Sequence, residues 1–190
     1  LPYLRTTGWL RSVAEQRPVD ENGNCLPWYT YPAVSFLNAR IQPEMAVFEY
    51  GSGNSTLWWS RLVSTVTSYE HDKVWYECLV DRLPENVDYV HCELEYGGAY
   101  SRAILAFKEQ FDCIVIDGRD RVSCAKNAIG ALKKDGIIIW DNAEREKYNE
   151  GYRYLFEHDF KRIDFWGIVP INCYEWCTSL FYRNNNCFKI

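Results

Sequence analysis

MAVFEYGSGNST, residues 45–56, carries three structural signals in a row. Ala46, Val47 and Phe48 form the kind of short apolar run that a buried strand needs. Glu49 ends the run as an acid, and Gly51-Ser52-Gly53 supplies a tight turn. Asn54, Ser55 and Thr56 are residues that start helices well. Strand, turn and helix start in this order place bare backbone N–H groups and a carboxylate at one sheet edge. A small polar ligand can be held there.

Strands and helices alternate downstream. Val63 to Tyr69 is a β-branched run that ends at Glu70, and Val74, Trp75, Cys78 and Leu79 then recur at helical spacing. Val87 to Cys92 reads as a strand leading into Glu93, and Ala99 to Phe107 as a helix. Phe111 to Ile116 is an apolar strand ending at Asp117. Val122, Ala125, Ala128, Ile129 and Leu132 share a helix face, and Asp135-Gly136 reads as a turn. Ile137 to Trp140 is a buried strand that ends at Asp141-Asn142. A polar helix over residues 147–158 precedes two final strands, 161–168 and 178–183, with no helix between them, so they are expected to pair antiparallel.

Upstream, residues 6–17 predict an amphipathic helix closed by Pro18, and residues 33–41 a second helix ended by Pro43. The aromatic stretch from Pro27 to Pro32 reads equally as a lid or as a clasp packed on the sheet. The pattern predicts a mainly parallel sheet covered on both faces. One domain over residues 1–190 is expected, with a helical and aromatic cap (1–44) on an α/β core (45–190).

The composition narrows the function classes. The net charge is −5 with no basic run, which argues against a nucleic-acid partner. No stretch is long and apolar enough for a membrane span, and no signal peptide is visible. The eight cysteines are scattered without a C-x-x-C pair, which disfavours structural zinc and suits a reduced, cytoplasmic protein. The sequon at Asn54-Ser55-Thr56 is read as accidental. His71, His91 and His158 show no ligand spacing.

The acids fall repeatedly at strand ends, at Glu49, Glu70, Asp117 and Asp141. Ligands of such sheets bind outside those ends. Glu70 follows Glu49 by 21 residues, the distance expected for an acid that accepts from ribose hydroxyls. A dinucleotide turn would carry a third glycine where Thr56 stands, which weakens NAD as the cofactor. A cofactor with an amino-acid end suits the turn better. Glu49 would face its ammonium group, and the turn at Gly51, Gly53 and Ser55 its carboxylate.

EYGSGNST, YEHD, VIDGRDR and IIIWDNAER together resemble the class I S-adenosylmethionine-dependent methyltransferases, over about residues 45–183. The resemblance implies a Rossmann-like three-layer sandwich whose seven-stranded sheet has an antiparallel last strand. It implies S-adenosyl-L-methionine contacts from Glu49, Gly51, Gly53 and Glu70, with Glu93 and Asp117 alongside. Asp117 and the Asp141-Asn142 pair are similar to the metal-dependent branch typified by catechol O-methyltransferase. That likeness implies Mg2+ held by Asp117, Asp141 and Asn142. The chain departs from that branch at Asp120, where the branch has a lysine, so Asp117 and Asp120 are the candidate proton acceptors, with Asp141 a third if no metal occupies it. Without a metal, Asp117 would cap the next helix and Asn142 would end its strand.

The expected activity is methyl transfer to a small-molecule acceptor, at a hydroxyl oxygen. An NAD-linked oxidoreductase and a non-catalytic binding module are the alternatives. Oligomeric state is left open, a dimer being compatible.

Overall fold

The computed structural model describes residues 1–190. The strands are β1 (Ala46–Tyr50), β2 (Thr65–Glu70), β3 (Val87–His91), β4 (Phe111–Ile116), β5 (Leu132–Trp140), β6 (Lys161–Gly167) and β7 (Trp176–Tyr182). The helices are α1 (Pro2–Thr6), α2 (Trp9–Glu15), α3 (Tyr31–Asn38), α4 (Asn54–Ser60), α5 (Lys73–Leu79), α6 (Ala99–Arg102), α7 (Arg121–Ala128) and α8 (Asn149–Glu157).

All seven strands form one sheet, in the order β3-β2-β1-β4-β5-β7-β6. The pairs from β3 across to β5 are parallel, and β7 runs antiparallel to both of its neighbours. Side chains alternate across the pleat. Phe48, Ile114, Ile116, Ile138 and Trp140 pack on one face against α7 and α8. Val47, Cys113, Val115, Ile137 and Ile139 pack on the other against α3 and α4. The result is the Rossmann-like three-layer sandwich expected. The chain leaves β1 toward β2 on one side and later returns to β4 on the other. A crevice therefore opens at the carboxyl ends of β1 and β4.

Several boundaries differ from the sequence expectation for local reasons. The first predicted helix is split at Gly8, which is left-handed at φ 82° and packed against the backbone of Val19 and Asp20. The helix expected from Ala99 to Phe107 is α6 followed by a 3₁₀ turn over Ala103–Ala106. Leu132 and Asp135-Gly136, read as helix face and turn, lie in β5, beside a register shift at Phe111 and Cys113. Pro32 sits in the first turn of α3, where proline removes no helical hydrogen bond, and Thr30 caps that helix.

The aromatic stretch from Pro27 to Pro32 is a clasp. Thr30 Oγ1 donates to the Phe165 carbonyl (2.9 Å), and the Thr30 N–H donates to Thr178 Oγ1 (3.1 Å). Tyr29 and Tyr31 are buried in the core, while Trp28 and Pro32 stay exposed. No helix is long and apolar enough to cross a membrane. All eight cysteines are free thiols, with Cys113, Cys124 and Cys177 buried.

Candidate active site

The glycine turn after β1 is held from below. Gly51 sits at φ 92°, and a Cβ placed on it would lie 3.0 Å from the Gly118 nitrogen. The loops after β1 and β4 therefore touch backbone to backbone, an approach that a side chain at Gly51 would prevent. Thr56 is the strut. Its Oγ1 accepts the Gly53 N–H (3.1 Å) and donates to Glu49 Oε2 (2.5 Å). Ser68 Oγ adds a longer bond to the same oxygen (3.3 Å). Sequence reasoning used Thr56 as a helix-starting residue and as a missing glycine, without assigning its hydroxyl a partner. Its position at the third residue of a helix start is the signal for a capping role.

Glu49 is fully buried, and its Oε1 has no partner. Its carboxyl lies beneath the turn rather than in the crevice. Burial pushes its pKa up to about 8, with the charge of Asp117 adding to the rise and the hydroxyls of Thr56 and Ser68 opposing it. An acid raised from its ordinary 4.5 to about 8 keeps a proton in the fold that the unfolded chain has released. Stability from this group is full below the unfolded value and is lost as pH rises through about 8. Glu49→Gln is therefore expected to flatten the profile. Between pH 5 and pH 8.5 wild type should lose about 4 kcal/mol relative to the variant in urea unfolding. Parallel profiles would contradict the assignment.

Glu70, at the end of β2, faces the crevice with every oxygen engaged. Its Oε2 accepts from Ser52 Oγ (2.6 Å), and its Oε1 accepts the N–H groups of His71 (2.8 Å) and Asp72 (2.9 Å). His71 Nδ1 lies 2.9 Å from the same Oε1 without the alignment of a hydrogen bond. Ser52 Oγ also lies 2.8 Å from the Tyr89 hydroxyl, which ties β1, β2 and β3 together at their ends. The Trp75 indole donates to the Ser52 carbonyl (3.0 Å) and lies over Gly53. Sequence reasoning passed over Ser52 and Trp75. One sits between two glycines and the other looked like a helix-face residue.

Two cavities meet at this turn. One, of about 350 Å³, is lined by Gly51, Ser52, Glu70, His71, Asp72 and Asp117 among others. The second, of about 280 Å³, is lined by Arg17, Trp28, Ser52, Ser55, Arg82 and Asp117 among others. Trp75 borders both, as do Ser52 and Asp117. Asp117 is the acid common to the two.

The three residues expected to ligate a metal do come together, but around an arginine. Arg121 Nη2 donates to Asp117 Oδ1 (2.9 Å) and to Asn142 Oδ1 (3.2 Å), and Nη1 donates to the Asp141 carbonyl. The Asp141 carboxylate turns away and accepts from Thr178 Oγ1 (2.7 Å). No group of three His, Cys, Asp or Glu side chains is arranged to hold a metal ion. Mg2+ at Asp117, Asp141 and Asn142 finds no support in this arrangement. A buried cation already fills the space between them, and a divalent ion needs those oxygen lone pairs free.

The other candidates separate. Asp141 is buried, with its acid form favoured by burial and by the neighbouring Asp117 charge. It lines neither cavity. Asp120 adopts a left-handed backbone (φ 48°), and its Oδ2 accepts the Gly97 N–H (2.7 Å). It borders a third cavity, with Tyr96, Arg119, Lys147 and Tyr148, and neither of the first two. Glu93 is exposed beyond β3 and lines none of these cavities. Burial raises the Asp117 pKa, and the Arg121 guanidinium beside it opposes that rise.

No protein-family model matches the chain, and no curated protein matches it in sequence. Solved structures do match. A precorrin-6y C5,15-methyltransferase from Geobacter metallireducens aligns with a TM-score of 0.62 at 13% identity, over 80% of this chain and 87% of that one. A methyltransferase from Geobacter sulfurreducens aligns with a TM-score of 0.56 at 19% identity, over 93% and 87%. An rRNA methylase from Streptococcus thermophilus aligns with a TM-score of 0.57 at 16% identity, over 80% and 94%. At these identities the likeness establishes a methyltransferase-like fold.

Proposed function

We propose that the crevice binds S-adenosyl-L-methionine and that the protein transfers its methyl group to a hydroxyl of a small-molecule acceptor. The observation that carries this reading is the pair of cavities joined at Ser52, Trp75 and Asp117. One offers Glu70 and the glycine turn to a nucleoside, and the other offers Trp28 as an aromatic wall to an acceptor. The methyltransferase-like fold and the motifs after β1, β2 and β4 support the same assignment.

When bound, the sulfonium cofactor supplies an activated methyl group. The chain's own residues do the rest. Glu70 accepts from ribose hydroxyls, at the cost of sharing Ser52. Gly51 and Gly53 let the backbone approach the amino-acid end closely. Trp75 walls the junction of the two cavities, where the reactants would be aligned for an in-line displacement. Asp117, at the meeting point, takes the acceptor's proton. Glu49 stays protonated below the turn and supports it through Thr56. The acidic balance of the chain, −5 overall, favours a small molecule over a nucleic acid.

Methyl-labelled cofactor incubated with a panel of phenols, sugars, amines and RNA tests this. Label is expected on an oxygen of a small hydroxylated compound. Asp117→Asn should lower the rate about 100-fold with little change in cofactor affinity. Label appearing only on amines or RNA, or an undiminished rate in the variant, would contradict the reading.

A further inference from the structure

We propose that Arg121 is the resident cation of this site, holding the loops after β4 and β5 together so that cofactor binding needs no divalent metal. The proposal rests on the reading above only for its ligand, S-adenosylhomocysteine.

Arg121 opens α7 and is only 6% exposed. Arginine is rarely buried so deeply without partners for its charge. Its partners here come from both loops. From the β4 loop, Nε donates to the Gly118 carbonyl (2.9 Å), and Nη2 donates to the Asp117 carbonyl (2.9 Å) and to Asp117 Oδ1 (2.9 Å). From the β5 loop, Nη1 donates to the Asp141 carbonyl, and Nη2 reaches Asn142 Oδ1 (3.2 Å). The Tyr148 ring lies 5.5 Å from the guanidinium carbon on a further side. All three nitrogens are engaged, and every acceptor is an oxygen.

A planar fork of five N–H donors can bridge carbonyls and carboxylates on two loops at once. A lysine ammonium is a point charge and cannot span them equally. The guanidinium also faces two nearby acids, Asp117 and Asp141, and offsets part of the repulsion between them. Its bonds to the Asp117 and Gly118 carbonyls fix the segment that touches Gly51. Arg121 thereby acts on the glycine turn through the β4 loop, as a positioning residue.

The test is calorimetric binding of S-adenosylhomocysteine to the full chain, with thermal melting in parallel. In wild type, EDTA and millimolar Mg2+ should each leave affinity and melting temperature unchanged. Arg121→Ala should bind about 10-fold or more weakly. Low millimolar guanidinium chloride should restore part of that loss, and sodium chloride at equal ionic strength should not. Arg121→Lys should lie between the two. A merely structural arginine would not show rescue of affinity by the free ion. Weaker wild-type binding in EDTA, tighter binding with Mg2+, or unaltered binding by Arg121→Ala would overturn the proposal. If Arg121→Ala does not fold, Arg121→Lys and the wild-type metal series decide it. If wild type binds no S-adenosylhomocysteine, the functional reading fails, and the proposal is still decided by the response of melting to Mg2+ and guanidinium.

Discussion

Gly51→Val should abolish measurable binding of S-adenosylhomocysteine and lower stability by about 3 kcal/mol. Two costs act together. The backbone at Gly51 has φ 92°, a region closed to β-branched residues without strain. A Cβ there would also stand 3.0 Å from the Gly118 nitrogen and 3.1 Å from its Cα, both backbone atoms that cannot rotate aside. The loops after β1 and β4 must then separate, which widens the crevice where the ligand is expected. Gly97→Val provides the internal control. Gly97 also has a positive φ, of 70°, but nothing lies within 4 Å of its added Cβ. It should lose stability from backbone strain alone and keep its affinity. Urea unfolding and a binding titration on both variants separate the effects. Equal losses of affinity would show that contact between the two loops is unimportant.

Glu70→Ala should lower affinity for S-adenosylhomocysteine by about 100-fold, in keeping with the loss of hydrogen bonds to a charged group. The carboxylate does two things. It is the acid positioned to accept from ribose hydroxyls, and it anchors the local backbone through the N–H groups of His71 and Asp72. Its removal also releases Ser52 Oγ, which then keeps only Tyr89. Glu70→Gln should retain part of the affinity, because an amide oxygen can still accept from Ser52 or from the backbone. Binding heats for the three proteins at one pH check this ordering. Wild-type affinity in Glu70→Ala would remove Glu70 from the ligand site.

The strand-forming half of the fold was open to inspection in the sequence because burial leaves a simple mark. Ile114, Val115 and Ile116 are apolar in succession since β4 is covered on both faces. The shorter helices were harder. Gly8 breaks the first predicted helix near its start, and Leu132 keeps helical spacing with α7 although it begins β5. Local periodicity cannot see that Leu132 pairs with Phe111 in the neighbouring strand.

The site divides in the same way. The strand-end acids were visible one by one, since each follows an apolar run. Their surroundings were not. Glu49 and Glu70 look equivalent in sequence, yet one lies fully buried under the turn and the other borders the crevice. The difference lies in Thr56 and Ser52, whose hydroxyls are assigned only by contact. Arg121 entered the sequence reading only as part of VIDGRDR, whereas the fold buries it among the oxygens that had suggested a metal.

The central claim is that the crevice beside Glu70 and the glycine turn is a site for S-adenosyl-L-methionine. A calorimetric titration of wild type with S-adenosylhomocysteine, repeated with NAD, tests it most directly. The account predicts saturable one-to-one binding of S-adenosylhomocysteine and no heat from NAD beyond dilution. Saturable binding of NAD with none of S-adenosylhomocysteine would contradict it.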